Sequence, residues 1–202
     1  MSKPRIVGVR TVFERWSKLI IANIVAPSGN SFEREIEIHG SAVAVLPYDP
    51  DRRVAIVISQ FRAPVDYLFP GSNHIFEAVA GIKDEDDAQD CAKREALEEA
   101  GVRLQVLEPI AHCWPMPGIS TETVECFLAR YSIDDRVASG GGIATENEEI
   151  EVHEWPLSDL AAYITSGAIV DLKLLMLVQV LQTRRPELFC TKEQTLSKRV
   201  EG

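Results

Sequence analysis

The sequence has no apolar run of the length that crosses a membrane. A spanning helix needs about 18 or more consecutive apolar residues, whereas the longest apolar run here, residues 174–180, is much shorter and predicts a buried helix. The residues after Met1 are not followed by an apolar stretch with a small-residue cleavage site, so no secretory signal is predicted. We therefore expect a cytoplasmic protein with no membrane partner.

Cysteine is also scarce. The four cysteines are scattered without a Cys-x-x-Cys spacing, and the four histidines have no spacing typical of metal ligands. This distribution excludes a disulfide scaffold and argues against a zinc site. It agrees with a reducing compartment.

Basic residues are outnumbered. Lys and Arg total 21 and Asp and Glu total 31, which gives a formal charge of −10. A protein that binds a nucleic-acid backbone needs a basic surface, so no nucleic-acid partner is expected. The acidic residues are concentrated in residues 84–99 and 146–149. Clustered carboxylates repel one another unless water or a cation separates them, so a phosphate substrate would require a metal ion between it and this protein.

The pattern of apolar residues divides the chain into two units. Residues 1–40 alternate apolar and polar positions around a turn at 27–30, which predicts an N-terminal extension of antiparallel strands. In residues 41–202, strands are expected at 41–47, 54–60, 76–80, 102–108, 123–131 and 151–155, and helices at 87–100, 158–166 (capped by Ser158) and 171–183. Mixed strands with helices on their faces predict an α+β fold, a mixed sheet sandwiched between helices.

One stripe of the helix predicted at 87–100 changes from apolar to acidic. Small apolar residues at positions 88, 91 and 92 begin the stripe, and Glu95, Glu98 and Glu99 continue it. Carboxylates at this spacing are neighbours, and their repulsion disfavours the helix. A hard cation such as Mg²⁺ or Mn²⁺ would remove the repulsion by taking the oxygens as ligands. A solvated acidic face is the alternative that the stripe alone leaves open.

The sequence around this stripe resembles the Nudix box. Residues 81–102 contain a glycine, an acidic loop and then Arg-Glu-x-x-Glu-Glu-x-Gly beginning at Arg94. The resemblance implies a Nudix fold whose helix supplies metal ligands, namely Glu95, Glu98 and Glu99. It also implies that Arg94 ties the helix to an acid of the preceding loop. The stretch from Gly81 to Arg94 is one residue shorter than the usual box, so that acid is Asp86 or Asp87.

The resemblance extends over nearly the whole chain, to the nucleoside-diphosphate-sugar branch of the Nudix family. Residues 60–62 match a Gln-x-Arg motif whose arginine, here Arg62, contacts substrate phosphate. A planar guanidinium suits that role because it binds oxyanions through two parallel hydrogen bonds. Residues 77–81 match Glu-x-x-Ala-Gly, in which the carbonyl at Ala80 is a metal ligand. Glu77 and, in the segment 117–122, Glu122 are the further expected substrate contacts.

Residues 140–149 are similar to the late loop of that branch. By position, Glu146 matches the acid proposed as general base, and Glu148 matches a further metal ligand. The glycines at 140–142 favour a mobile lid that closes over substrate. Glu98 and Glu99 of the helix are the other expected catalytic residues.

The activity that the resemblance implies is hydrolysis of the pyrophosphate bond of a nucleoside diphosphate sugar, either ADP-ribose or GDP-mannose. Mg²⁺ is the expected cofactor, with Mn²⁺ as a substitute, and the products are a nucleoside monophosphate and a sugar phosphate. The alternative is a catalytically silent Nudix-fold protein that binds a nucleotide. Loss of the box glutamates would mark such a protein, and all three are present.

The resemblance also implies a homodimer with composite active sites. Arg34 matches an arginine that reaches substrate from the partner subunit, and the N-terminal strands of that branch exchange across the dimer. An alternating strand run that is too short to bury itself agrees with this role. The alternative is that the run covers its own domain.

Overall fold

A computed structural model describes residues 2–71, 74–83, 87–143, 149–168 and 170–190. The strands are β1 (Arg5–Glu14), β2 (Lys18–Val25), β3 (Ser31–Ile38), β4 (Ser41–Asp49), β5 (Val54–Phe61), β6 (His74–Glu77), β7 (Val79–Lys83), β8 (Leu107–Cys113), β9 (Thr123–Arg130) and β10 (Glu151–Pro156). The helices are α1 (Ala63–Leu68), α2 (Ala88–Ala100), α3 (Leu157–Thr165) and α4 (Leu172–Arg184). Within those described ranges, no helix is long and apolar enough for a membrane crossing.

The larger sheet has seven strands and mixed direction. Its main path is β10-β5-β4-β9-β8, in which β4 and β9 are parallel and the other neighbours are antiparallel. β4 and β5 pair only at their joining turn, and beyond it β7 pairs with β4 while β6 pairs with β5. One strand was expected at 76–80. Two are found, separated at Ala78, because each pairs with a different neighbour.

Helices cover both faces of this sheet, as the sequence predicts. On one face, α2 packs through small residues against apolar side chains such as Val43 and Ile58. On the other face, α3 and α4 pack through leucines against residues such as Leu46 and Val57. Strands buried on both faces carry near-continuous apolar runs. This explains the near-continuous apolar runs of β4 and β5.

The N-terminal strands form a separate three-stranded antiparallel sheet, β1-β2-β3. It joins the rest of the protein at Glu37, whose N–H donates to the Ile119 carbonyl and whose carbonyl accepts from the Thr121 N–H. β1 is exposed along nearly its whole length, including the side chains of Ile6 and Phe13. Because much of its apolar surface meets water, this sheet presents a surface suited to association.

Two local expectations were wrong, and one helix was not predicted. α3 has no side-chain cap, and the hydroxyl of Ser158 donates to Asp159 instead. The strand expected at 102–108 is β8 at Leu107–Cys113, because the preceding residues only make a single bridge at Val102 before β9 supplies a partner. α1 was not predicted, since a six-residue segment that contains a proline carries almost no helical periodicity.

Candidate active site

Helix α2 is fixed at both ends by local chemistry. The Asp87 carboxylate accepts from the N–H of Gln89, and Gly101 ends the helix in the left-handed conformation (φ 68°), which glycine adopts at low cost. Between these ends, small buried residues such as Ala92 and Ala96 let the helix lie close to β7 and β4. Because the helix lies this close, the acidic residues of its next turns, Glu95 and Glu99, reach strand β7.

Glu99 is buried, with only 3% of its surface exposed. One of its carboxylate oxygens accepts a hydrogen bond from the N–H of Ala80 on β7, at 3.0 Å. The N–H and C=O of one strand residue point to the same side of the strand, so the Ala80 carbonyl also faces the region of the Glu99 carboxylate. A buried carboxylate and a backbone carbonyl are therefore placed together.

Glu95 lies against Gly81, the residue of β7 that follows Ala80. A Cβ built on Gly81 would lie 2.1 to 2.5 Å from the carboxylate atoms of Glu95, which no real side chain tolerates. Glycine at position 81 therefore leaves room for this carboxylate, and a larger residue there would displace the Glu95 side chain. The structure thus brings Glu95 and Glu99 together at the segment Ala80–Gly81. It also explains the glycine at the first position of the box, because the Glu95 carboxylate occupies the space that a side chain at this position would need.

Arg94 lies beside these acids. Its Nη1 is 2.8 Å from Glu95 and 3.0 Å from Glu98. Partial burial opposes the charged form of Arg94, but the attraction of Glu95 and Glu98 outweighs it and raises the pKa of the guanidinium. Of the two acids expected to hold Arg94 from the preceding loop, Asp87 caps the helix, and Asp86 lies outside the described residues.

The residues present fit a divalent cation that keeps some of its water. In the parts of the chain that the structure describes, no three acidic, histidine or cysteine side chains gather closely enough to enclose an ion. Mg²⁺ is usually bound by one or two carboxylates together with waters and substrate phosphates, not by a complete protein cage. The pair Glu95 and Glu99, with the Ala80 carbonyl beside them, is such a set.

Arg62 forms a two-pronged ion pair with Glu77. Its Nε and Nη2 lie 2.6 and 2.8 Å from the two carboxylate oxygens, and Glu77 is 3% exposed whereas the Arg62 side chain is 42% exposed. The hydrogen bonds to Glu77 raise the pKa of Arg62, and the negative charge of Glu99 adds to the effect. Glu77 therefore fixes the orientation of a permanently charged guanidinium that borders the acidic helix.

Sequence reasoning missed two residues at the start of α4. Asp171 caps the helix by accepting from the Leu174 N–H, and Lys173 Nζ lies 2.7 Å from Asp171 and 3.9 Å from Glu77. The Asp171 carboxylate also contributes to the raised pKa of Arg62. A second cation thus joins the same cluster. In the sequence, Asp-x-Lys indicates only a helix start, and nothing in its spacing points to strand β6.

The glycines at 140–142 are anchored to α2. The N–H of Gly141 donates to the Glu99 carbonyl and that of Gly142 to the Glu98 carbonyl, at 2.9 and 3.2 Å. A Cβ on Gly140 would lie 2.3 Å from the Glu99 carbonyl oxygen. These bonds satisfy carbonyls that a helix end leaves without partners. The glycines were expected to serve a mobile lid, but those that the structure describes dock on the helix end.

The remaining expected residues have different surroundings. Glu146 and Glu148 lie outside the described residues. Glu122 directly precedes β9, at the end of the sheet where β7 ends, and its N–H donates to the Ser120 hydroxyl. Arg34 is on β3, where its guanidinium bonds to the Glu33 carbonyl and lies over the Phe32 ring. It lines a groove of about 390 Å³ with Gly118 and Ile119, so the structure places it on the N-terminal sheet and not among the contacts of α2.

An acidic helix that packs against a glycine, with an arginine nearby, is found in a known class of proteins. The chain is a member of the Nudix family, because the family's sequence profile, described as NUDIX domain, matches residues 38–175. Members of this family typically use divalent metal ions. The family predicted from residues 81–102 is confirmed.

Within the Nudix family, the chain is similar to enzymes that are named for nucleotide substrates. GDP-mannose pyrophosphatase of Cronobacter sakazakii is 36% identical over 152 residues, which cover 75% of this chain and 78% of the relative. GDP-mannose pyrophosphatase of Escherichia coli (strain K12) is 33% identical over 151 residues with the same shares. A crystal structure of an ADP compounds hydrolase has a TM-score of 0.72 at 17% identity, over 91% of this chain and 97% of that chain. This last likeness confirms the α+β fold.

Proposed function

We propose that this Nudix protein hydrolyses the pyrophosphate bond of a nucleoside diphosphate sugar, and that GDP-mannose is the first substrate to test. The observation that carries the proposal is the convergence of Glu95 and Glu99 on the segment Ala80–Gly81, beside the Arg62–Glu77 pair. GDP-mannose takes precedence over ADP-ribose because relatives at 33–36% identity are named GDP-mannose pyrophosphatases. The ADP compounds hydrolase supports only the fold at 17% identity.

The metal in this proposal is Mg²⁺, with Mn²⁺ as a substitute. The Ala80 carbonyl, Glu95 and Glu99 would hold it, together with Glu148 from the late loop and Glu98. A divalent ion at this place neutralises the pyrophosphate and makes one phosphorus more electrophilic. Glu98 also forms an ion pair with Arg94, which fixes the position of its half-buried side chain on α2.

The cationic residues would hold the phosphates. In the pair with Glu77, Arg62 uses Nε and Nη2, which leaves the Nη1 corner of the guanidinium outside the pair. Lys173 lies on the other side of the same glutamate. Lys173 also pairs with Asp171, so the two cations and two carboxylates of this cluster balance, and the Nη1 corner of Arg62 is the proposed contact for the diphosphate. Glu122 is the proposed contact from the β9 side.

The general base is proposed to be Glu146. A carboxylate in this role takes a proton from the attacking water, whose oxygen forms the new bond to phosphorus while the bridging P–O bond breaks. The docking of the glycines on the end of α2 supports this choice, because it starts the loop at the helix that carries Glu98 and Glu99.

A substrate panel tests the activity. The protein is incubated with Mg²⁺ and GDP-mannose, ADP-ribose or other nucleoside diphosphate sugars, and phosphate release is measured with and without added phosphatase. We expect phosphate only when phosphatase is present, because both products are phosphate monoesters, and no release in excess EDTA. The proposal would be refuted if the protein hydrolysed none of these substrates, or if it kept full activity in EDTA.

We further propose a homodimer with composite sites, in which Arg34 reaches the partner's substrate. The proposal is supported by the exposed apolar side chains of the N-terminal sheet and by the exposed position of Arg34 on β3. Mixing Arg34→Ala and Glu99→Gln subunits, each inactive alone, should restore activity at one of the two sites of the heterodimer.

The matched control mixes Glu99→Gln with Arg62→Ala subunits. These two defects lie in the same chain's site, so every site of that heterodimer keeps one defect and no activity should return. Heterodimer formation is verified by differential tagging. Equal recovery in both mixtures, or recovery in neither, contradicts a site shared through Arg34.

A further inference from the structure

A cavity of about 300 Å³ lies at the end of the sheet opposite the candidate active site. Its lining residues are Tyr48, Gln105, Val106, Glu108, Leu128, Arg130 and Arg185. Tyr48 and Arg130 are register partners near the ends of the parallel strands β4 and β9, and Arg185 directly follows α4. The proposed metal ligands border the opening half of β4, so this cavity, named here the far-end cavity, is separate from them.

Two buried donors at the far-end cavity have no acceptor. The Tyr48 hydroxyl and Arg185 Nη1 are buried and make no hydrogen bond of normal geometry in the described part of the chain, although Arg130 lies near the hydroxyl and Arg185 lies over the Tyr48 ring. Burial raises the pKa of Tyr48, so the hydroxyl keeps its hydrogen. The nearby guanidinium groups carry donors only and cannot accept that hydrogen. Natural proteins seldom leave buried donors unsatisfied, so the pair calls for an acceptor from outside the described fold.

The charge at the same cavity is positive. Arg130 and Arg185 line it, and Arg184 binds the same carboxylate as Arg185, that of Glu108. Burial opposes ionisation of Glu108, but the hydrogen bonds from both arginines outweigh it and lower its pKa. Among the lining residues, two arginines therefore face one carboxylate that Arg184 also binds, so the lining carries an excess of one positive charge in a protein whose formal charge is −10.

We propose that the far-end cavity binds a small oxyanion of the phosphate class. An oxyanion offers only acceptors, which is what the Tyr48 hydroxyl and Arg185 Nη1 lack, and it neutralises the excess charge. Water would satisfy the donors but would leave the charge unbalanced. The volume, about ten times the roughly 30 Å³ of one water molecule, accommodates a phosphate group with some of its hydration.

Thermal unfolding of the full-length protein tests the proposal. The probe is inorganic phosphate, titrated against sodium chloride at equal ionic strength, with EDTA present and no substrate. We expect a saturable rise in the unfolding temperature with phosphate, because a ligand that binds only the folded state stabilises it. Arg130→Gln and Tyr48→Phe should each raise the apparent dissociation constant by about tenfold or more. Tyr48→Phe should not lower stability without phosphate, because it removes an unsatisfied hydroxyl.

Two further variants locate the binding. Arg103→Gln removes an exposed positive charge outside the cavity lining and should keep the full response. Arg62→Gln should also keep it, because EDTA removes the metal through which the acidic candidate active site is proposed to hold phosphate. Any of three results would overturn the proposal. The response to phosphate could be lost in Arg62→Gln, it could be unchanged in Arg130→Gln and Tyr48→Phe, or no saturable response could be found at all. The assay needs no turnover, so its outcome is independent of the proposed enzymatic function.

Discussion

The two ends of the seven-stranded sheet treat buried charge in opposite ways. At the end with the acidic helix, the buried carboxylates have protein donors: Glu99 accepts from Ala80, and Glu77 accepts from Arg62. At the far-end cavity, the Tyr48 hydroxyl and Arg185 Nη1 are buried without acceptors. In the two proposals made above, the first end binds cations together with a phosphate substrate, and the second end binds an anion alone.

Helix α4 connects the two ends. Its first turn carries Lys173, which joins the Glu77 cluster, and the residues that end it, Arg184 and Arg185, bind Glu108. Basic residues at a helix C-terminus are favourable because they offset the partial negative charge of its carbonyls. One helix can therefore contribute residues to two proposed sites of different chemistry, provided that each end of the helix contacts a different strand.

Removing one charge from the acidic end should have the largest effect. Glu99→Gln keeps the shape of the side chain but removes a proposed metal ligand, so turnover should fall about a thousandfold or more, at ~1.4 kcal/mol for each tenfold. Thermal stability in EDTA should hold or rise, because repulsion among the glutamates decreases. Asp90→Asn, an exposed acid on the same helix, is the matched control and should stay active. A Glu99→Gln protein with near-normal turnover would show that Glu99 is not a ligand.

Disturbing the loop that docks on α2 should have the next largest effect. Gly140→Ala places a Cβ against the Glu99 carbonyl and strains a left-handed backbone (φ 71°), so the helix end must shift. We expect about a ten- to hundredfold loss of activity and a higher Mg²⁺ concentration for half-activity. Gly167→Ala has comparable strain (φ 85°) with open space around it, so it should lose some stability but keep its Mg²⁺ requirement. Equal Mg²⁺ requirements in both variants would refute a positioning role.

Arg62→Lys should have a moderate effect on substrate binding. Lysine keeps the charge but loses the planar, two-pronged contact with Glu77, so it should point differently at the phosphates. We expect KM to rise about tenfold while kcat changes less. Steady-state kinetics on the preferred sugar nucleotide measure both constants. A fall in kcat at unchanged KM would instead place Arg62 in the chemical step.

The smallest effect is expected at the far end, in the pH dependence of stability. The arginines lower the pKa of Glu108 below its unfolded value, so its contribution to stability is present above about pH 4.3 and is lost as the pH falls through the lowered pKa. Glu108→Gln should therefore be less stable than the wild type at pH 7, and the difference should shrink below about pH 4. Added salt should also reduce the difference, because the pair is partly exposed. A difference that is constant with pH would exclude the ion pair as its cause.

Several features follow from the sequence because neighbours along the chain determine them. Helix α2 lies within the predicted span 87–100, since its caps, Asp87 and Gly101, act within one helical turn. The strands of the N-terminal meander and the layer of helices on each face follow from periodicity. The family follows from residues 81–102, because eight positions of the box lie within one helix and the turn that ends it.

What only the tertiary structure decided depends on strand pairing and helix docking. Residues 74–83 form two strands because β4 and β5 separate, which no local pattern encodes. Lys173 meets Glu77, and the Gly140 loop meets α2, across large separations in sequence. Periodicity reports which face of an element is apolar, but it does not report which element covers that face. For that reason the sequence determined the acidic helix and its chemistry, whereas the partners of its carboxylates and the unsatisfied donors at Tyr48 and Arg185 required the folded chain.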